Sequence, residues 1–339
     1  MQPNVWIVLV NYNGLEDTCA CLESIAKIEY PRLTTVVVDN ASQVDPRPVL
    51  NERFGWCRVM MNPVNAGWAG GNNVGLKAAL IAGADLVVLL NNDTVVSPQL
   101  VERVVAAAAA NPEIGILGPV INEMNEPALV QTDGVLFNHE RDAGFFSREA
   151  VPLDAEQPAV REVDIVNGCC IAIRREVADR IGLIDERFFL IHEESDYCLR
   201  AREAGFRCGV IGQSLVWHKH SASFKRSGQR IQRYYDARNL HLLLRTHVGP
   251  HRPTHGASRG GRQSWLHYYR YAYWRYCLER EQGQDDAALA VLEGVADAWR
   301  GHYGPWARRQ RLLVGPLRAG FEALRWWKGW ATMSAAEAS

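Results

Sequence analysis

Four aliphatic residues in succession, Val87-Val88-Leu89-Leu90, run straight into Asn91-Asn92-Asp93-Thr94. An unbroken apolar run that stops on polar residues predicts a strand buried on both faces, as in a parallel sheet. The pattern recurs. Val5–Val10 stops on Asn11-Tyr12-Asn13-Gly14, Thr34–Val38 stops on Asp39-Asn40-Ala41-Ser42, and Arg58–Met61 is a shorter strand. Helical spacing fills the gaps. Cys19, Leu22, Ile25 and Ala26 follow a cap at Asp17 or Thr18, and Leu76, Leu80 and Ile81 follow a stretch of glycines and amides at 62–73. An alanine-rich helix runs to Asn111-Pro112, with Ser97 as its cap and Pro98 at its first position. Strands alternating with helices predict an α/β fold with a mostly parallel sheet.

From Ile114 to Val166 the pattern predicts short strands and loops. Val163–Ile173 reads as one strand carrying Asn167-Gly168, followed by a short helix around Glu176–Ile181 that stops at Gly182. A helix begins near Glu193 and stops at Gly205. The extended stretch after it, Ser214–Ser221, sets His218 and His220 on one face. Beyond Lys225 the spacing predicts a helix over Ile231–Thr246, a mobile linker over Gly249–Gln263 and an aromatic helix over Trp265–Leu278. The division expected is 1–112 and 113–225 as two halves of one domain, then a helical region over 226–339.

Composition narrows the class. A chain of 339 residues with 47% hydrophobic and 22% charged residues can bury one large core and carry an appendage. Its net charge of −1 gives no argument for nucleic acid. The tail is different: Leu313, Leu317, Phe321 and Leu324 recur among arginines before Trp326-Trp327-Lys328-Gly329-Trp330. Such a helix suits peripheral contact with the inner membrane face. It equally suits docking on the main domain or on a second copy in a homodimer. No run is long enough to span a bilayer, and Val5–Val10 lacks the basic start of a signal peptide. The 8 cysteines form no C-x-x-C pair, so reduced, buried thiols in a cytoplasm are expected rather than zinc.

The candidate chemistry lies where strands end, since ligands of open α/β sheets sit beyond the carboxyl ends of the strands. Asp93 is placed to hold a hard divalent cation, which often takes one or two carboxylates plus phosphate oxygens. An ordinary polar turn explains Asp93 equally well. The glycine-rich entry at 65–72 lets backbone N–H groups approach a phosphate. Glu193, Glu194 and Asp196 crowd the start of one helix. The macrodipole favours acids there anyway, but crowding raises a carboxyl pKa and favours a functional role.

Together these stretches resemble the inverting nucleotide-sugar glycosyltransferases of family 2, with the GT-A fold. The segments are VNYNG at 10–14, VVDNAS at 37–42, NAGWAGGN at 65–72, LLNNDT at 89–94, NGCCIAIRRE at 167–176, GLIDERFFLIHEESDYCLRAREAGF at 182–206 and the His218 segment, in the family's order. The nearest branch is that of bacterial rhamnosyltransferase-like members. The resemblance implies that Asn11, Tyr12 and Asp39 hold the nucleobase, with Asn65 and Gly70 lining the uridine or thymidine pocket. Asn92 would lie near the ribose and diphosphate. Asp93, last residue of the family's D-x-D element, and His218 would bind Mn²⁺ or Mg²⁺, while Asn91 replaces the element's first acid. Asn167 and Gly168 would border the acceptor pocket. Glu194 would be the catalytic base, one methylene longer than the family's aspartate, with Glu193 and Asp196 as alternates. The donor would be a UDP- or dTDP-sugar and the acceptor a glycan or lipid-linked hydroxyl. A sugar nucleotidyltransferase should instead carry a basic glycine-rich loop after the first strand, where this chain has Asn-Tyr-Asn-Gly. A silent nucleotide-sugar-binding scaffold would have no need of Asp93, Glu194 and His218 together.

Overall fold

The computed structural model describes residues 2–137, 145–147, 159–219, 229–247, 260–307 and 313–328. The chain forms two compact units. The first comprises Met1–Leu136, Ser147–Glu186 and Glu193–His220; the second comprises Phe137–Phe146, Arg187–His192 and Ser221–Ser339.

The first unit is a mixed α/β Rossmann-like GT-A fold. Its nucleus is four parallel strands in the order β4 (Leu86–Asn91), β1 (Val5–Asn11), β2 (Leu33–Asp39), β3 (Arg58–Met61). Register aligns their carboxyl ends: Asn11 lies opposite Asp39 and Val10 opposite Asn91. Val5, Ile7, Leu9, Val88 and Leu90 sit in one buried core, each worth about 1.5–3 kcal/mol relative to exposure. Helices α1 (Leu15–Ile25), α2 (Arg47–Arg53), α3 (Gly67–Ile81) and α4 (Leu100–Ala110) connect or follow these strands. At Gly75 a Cβ would fall 2.2 Å from Val8 Cγ1, so only glycine lets α3 lie this close to β1.

Two expected caps are replaced. Helix α1 starts at Leu15, ahead of Thr18, whose hydroxyl bonds the Asn11 side chain and the Gly14 carbonyl, both at 3.0 Å. Helix α4 starts at Leu100, because Ser97 Oγ accepts the Gln99 N–H at 3.2 Å and Ser97 O the Leu100 N–H at 3.0 Å in a turn that ends before the helix.

The second half of the sheet departs further from the pattern. Instead of short pieces, Ile114–Glu123 is a ten-residue central strand, β6, buried along nearly its whole length. After β4 come β5 (Thr94–Val96) and β7 (Val130–Thr132), while β8 (Val135–Phe137) pairs with β9 (Phe145–Ser147). The single strand expected over Val163–Ile173 is two. Val160–Val163 is edge strand β10, and Cys170–Arg174 is β11, antiparallel to β4 and to β6. Between them the chain crosses from the sheet's edge to its middle, turning at Asn167-Gly168. The full order is β10-β12-β6-β11-β4-β1-β2-β3, with β12 spanning Arg207–His218. Helices α5 (Arg175–Ile181) and α6 (Glu193–Glu203) precede β12. The glycines expected to stop them, Gly182 and Gly205, adopt φ of 76° and 95°, a conformation open to a residue without Cβ.

The second unit is helical: α7 (Gln229–His247), α8 (Gly260–Glu281), α9 (Asp285–Trp299) and α10 (Val314–Lys328). The aromatic stripe of α8 is packing, for Tyr268, Ala272 and Tyr276 join Leu240, Leu244, Val291 and Val295 in one core. Of the expected linker, 249–259 lie outside the described residues and 260–263 open α8. On α10, Val314, Leu317 and Phe321 pack against this core and Tyr276 donates to Glu322 at 2.6 Å, leaving Leu324 exposed. Trp330 lies outside the described residues. Among those described, no helix is long and apolar enough to cross a membrane.

Candidate active site

The carboxyl ends of β1, β2 and β4 form a connected polar floor. Asp39 is fully buried and accepts from Asn11 Nδ2 at 2.7 Å and from the Ser42 N–H at 2.9 Å. Asn11 Nδ2 also reaches Ser42 Oγ at 3.1 Å. Tyr12 beside them is half exposed. Asn92 Nδ2 donates to Thr18 Oγ1 at 2.9 Å, drawing the β4 end to α1.

The glycine-rich entry into α3 is fixed by a residue the sequence reading did not single out. Asn40 donates through Nδ2 to Asn65 Oδ1 at 3.0 Å and Gly67 O at 2.9 Å, and its Oδ1 accepts from Asn62 Nδ2 and the Ala66 N–H. It lies within the VVDNAS stretch, where its amide next to Asp39 was the available signal. Gly70 is packed tightly: a Cβ there would fall 2.5 Å from that of Ala66 and 3.6 Å from Glu186 Cδ. Trp68 was missed too. Its indole Nε1 donates to Asn91 Oδ1 at 2.9 Å, so the residue at the D-x-D element's first position orients a ring.

Asp93 and His218 are brought together by sheet pairing. Strand β5 runs antiparallel to the end of β12, with Thr94 opposite His218, and the Lys219 N–H donates to Asp93 O at 3.0 Å. His218 Nε2 then lies 3.1 Å from Asp93 Oδ1, while its Nδ1 is hydrogen-bonded to Gln131 Oε1 at 3.0 Å. A carboxylate and an imidazole nitrogen converge, with the ring held from behind by a partner of the kind that steadies metal-binding histidines. Lys219 also forms an ion pair with Asp17. Among the described residues no three His, Cys, Asp or Glu side chains gather as a closed metal cage. An oxygen-plus-nitrogen pair fits a divalent ion whose remaining ligands are phosphate oxygens and water. His220 lies outside the described residues.

The three acids of α6 are separated by their surroundings. Asp196 is buried and accepts from Arg200 Nε at 2.7 Å, and Arg200 also donates to the carbonyls of Ile181 and Leu183. That pair ties α6 to the end of α5. Glu193 is 4% exposed and its Oε2 has no hydrogen-bond partner. Burial, with the neighbouring Glu194 charge adding to it, pushes the Glu193 carboxyl well above the ordinary range. Glu194 accepts from Ser195 Oγ at 3.0 Å and borders the Asn167-Gly168 turn. Asn167 shapes that turn by accepting the Cys169 N–H at 2.8 Å. A Cβ on Gly168 would lie 3.2 Å from Glu194 Cβ and 3.4 Å from Trp68 Cζ2.

Glu194 and Trp68 therefore both flank the space beside Gly168, and Trp68 is hydrogen-bonded to Asn91, two residues before Asp93. The surrounding thiols are inert. Cys21, buried against Thr94, is pushed up to about 12 by desolvation, and Cys169 and Cys170 are raised as well. Every cysteine is free.

The chain is similar to several known proteins. It is 26% identical over 251 residues to a low-salt glycan biosynthesis hexosyltransferase of Haloferax volcanii, covering 71% of this chain and 76% of that one. It is 23% identical over 257 residues to the dTDP-rhamnosyl transferase RfbF of Shigella flexneri, covering 74% and 83%. The fold is shared with a mannosyltransferase from Pyrobaculum calidifontis solved with GDP-Man and Mn²⁺, at a TM-score of 0.52 and 18% identity over 97% of this chain and 82% of that one. Residues 3–237 match the family described as Glycosyltransferase like family 2, so the chain belongs to that family and is a glycosyltransferase.

Proposed function

We propose that the enzyme moves a sugar, with inversion, from a UDP- or dTDP-sugar to a hydroxyl of a glycan or lipid-linked acceptor in surface polysaccharide synthesis. The nucleobase rests on Asn11, Tyr12 and Asp39, with Asn65 and Gly70 closing its pocket and Asn92 near the ribose and diphosphate. Asp93 and His218 hold Mn²⁺ or Mg²⁺, which when bound offsets the negative charge that develops on the departing nucleoside diphosphate. The acceptor enters past Asn167 and Gly168. Glu194 takes its hydroxyl proton as the new glycosidic C–O bond forms, and the electron pair of the old anomeric C–O bond leaves on the diphosphate. One displacement with one base inverts the anomeric centre.

The observation that carries this reading is the position of Glu194 against Gly168, where Trp68 flanks the same space and is hydrogen-bonded to Asn91 at the Asp93 end of β4. Glu193 is buried with its carboxyl pushed upward by burial, and Asp196 is committed to Arg200, so Glu194 beside Gly168 is the best-placed base. A positioned base contributes roughly 10²–10⁴-fold in rate. Glu194→Gln should thus retain donor binding by calorimetry while transfer falls by about that factor; full activity would move the role elsewhere. The curated relatives act with hexosyl and dTDP-rhamnosyl donors, as their names state. They support dTDP-rhamnose and UDP-hexoses as the first donors to screen by thermal shift with Mn²⁺, since a binder stabilises by RT ln(1 + [L]/Kd).

A further inference from the structure

The acids of α6 are delivered by an unusual piece of backbone. Arg187–His192 belongs to the helical unit, and the next residue in the chain is Glu193. Within this segment Phe189, Ile191 and His192 adopt φ of 63°, 72° and 71°. Bulky and β-branched residues avoid this left-handed region unless their surroundings hold them there.

Two adjacent residues of α7 do the holding. Asn239 Nδ2 donates to the carbonyls of Phe188, Leu190 and Ile191 at 2.8, 2.7 and 2.7 Å. Arg238 Nη2 donates to those of Arg187 and Phe188 at 3.1 and 2.8 Å, and its Nε is tied to Asn239 Oδ1 at 2.8 Å. Both side chains are fully buried, and the Arg238 guanidinium lies 4.7 Å from the Tyr235 ring centroid. Phe189, Leu190 and Ile191 pack around Tyr234 and Tyr235. His192, the last residue of the turn, bonds Asp236 Oδ1 at 3.0 Å, one turn earlier on the same helix. Four of the turn's six carbonyls are gripped by one Arg-Asn pair.

We propose that Arg238 and Asn239 are positioning residues for sugar transfer: they fix the left-handed turn 187–192 and with it the point from which Glu193 and Glu194 enter α6. The proposal rests on the reading of Glu194 as the base. It assigns Arg238 and Asn239 a part in the chemical step through the chain itself, His192 being joined directly to Glu193, without either side chain touching substrate. A base misplaced by about an ångström loses roughly a hundredfold in rate even when binding is intact.

The test compares full-length Arg238→Lys, Asn239→Asp and Glu194→Gln with the parent enzyme. Arg238→Lys keeps the charge but loses the fork, and Asn239→Asp keeps the shape but loses the donors. The expected result is a kcat about ten- to a hundredfold lower per folded molecule, a donor KM and nucleotide Kd within about twofold, and a displaced acid limb of the kcat–pH profile. Folded fraction is set by calorimetric melting, and Asn239→Ser replaces any variant that does not fold. Parental kcat and pH profile in the folded variants overturn the proposal. So does a kcat loss matched by an equal loss of nucleotide binding, which would mean general unfolding of the site. Glu194→Gln separates the two readings. If it stays active, the base assignment fails; if it is dead while the clamp variants are unimpaired, only the positioning role fails.

Discussion

The donor end of the sheet and the turn that leads into α6 solve the same problem by opposite means. At the donor end, Asn11, Asp39 and Asn92 at or just past the strand ends are tied to one another, to Ser42 in the loop after β2 and to Thr18 on α1. Strand register aligns Asn11 with Asp39 and Val10 with Asn91, and the loop and helix that follow these strands add Ser42 and Thr18, so each group is fixed by backbone close to the sheet. The turn at 187–192 has no such support. Its carbonyls are satisfied by side chains 48 to 51 residues further along the chain. One region is organised by the sheet itself, the other by a remote helix. A substitution at the first should damage binding, and one at the second should damage the rate.

The largest expected effect breaks the comparison at its chemical ends. Glu194→Gln should lower transfer by roughly 10²–10⁴-fold with donor binding retained. Asp93→Ala should lower it by about 10²–10³-fold and weaken metal-dependent nucleotide binding. Unchanged activity of the parent enzyme in EDTA would refute a metal role.

A smaller change sharpens the contrast. Gly168→Ala puts a methyl 3.2 Å from Glu194 Cβ and 3.3 Å from its Cγ. The Glu194 Cγ can rotate away but its Cβ is fixed to α6, so the turn or the helix must give by a few tenths of an ångström and melting should fall modestly. Moving the base should nonetheless cost about tenfold in kcat with donor KM unchanged. A normal kcat would show that Glu194 tolerates displacement.

The smallest effect concerns stability. The folded protein raises the Glu193 carboxyl above its ordinary value, through burial and the Glu194 charge. In that window the folded state binds more protons than the unfolded one. The contribution of Glu193 is therefore most favourable below the ordinary glutamate range and declines as pH rises toward the raised value. Glu193→Gln, which cannot ionise, should flatten the fall in melting temperature across that window. An unchanged pH dependence would place the titrating group elsewhere.

How much was legible depended on the range of the interactions involved. Strands β1, β2 and β4 and the polar residues at their ends could be read directly, because a doubly buried strand is apolar along its buried length and changes character where it stops. The caps of α1 and α4 could not. Thr18 lies inside α1 with its hydroxyl turned to Asn11 and Gly14, and Ser97 Oγ is taken up by the Gln99 N–H in the turn ahead of α4. The single strand expected over Val163–Ile173 failed for a related reason. Apolar residues on both sides of Asn167-Gly168 look continuous, yet the chain crosses the sheet between them.

By itself, the sequence determined the α/β alternation, the family, and the residue types available for chemistry. These follow from local periodicity and from motifs whose spacing is short. Tertiary structure decided which atoms meet: Trp68 with Asn91, Gln131 behind His218, Asp196 committed to Arg200, and the turn before Glu193 gripped by Arg238 and Asn239. Each of these is a hydrogen bond between side chains or backbone groups set by packing, and linear spacing carries no information about which buried donor will find which acceptor.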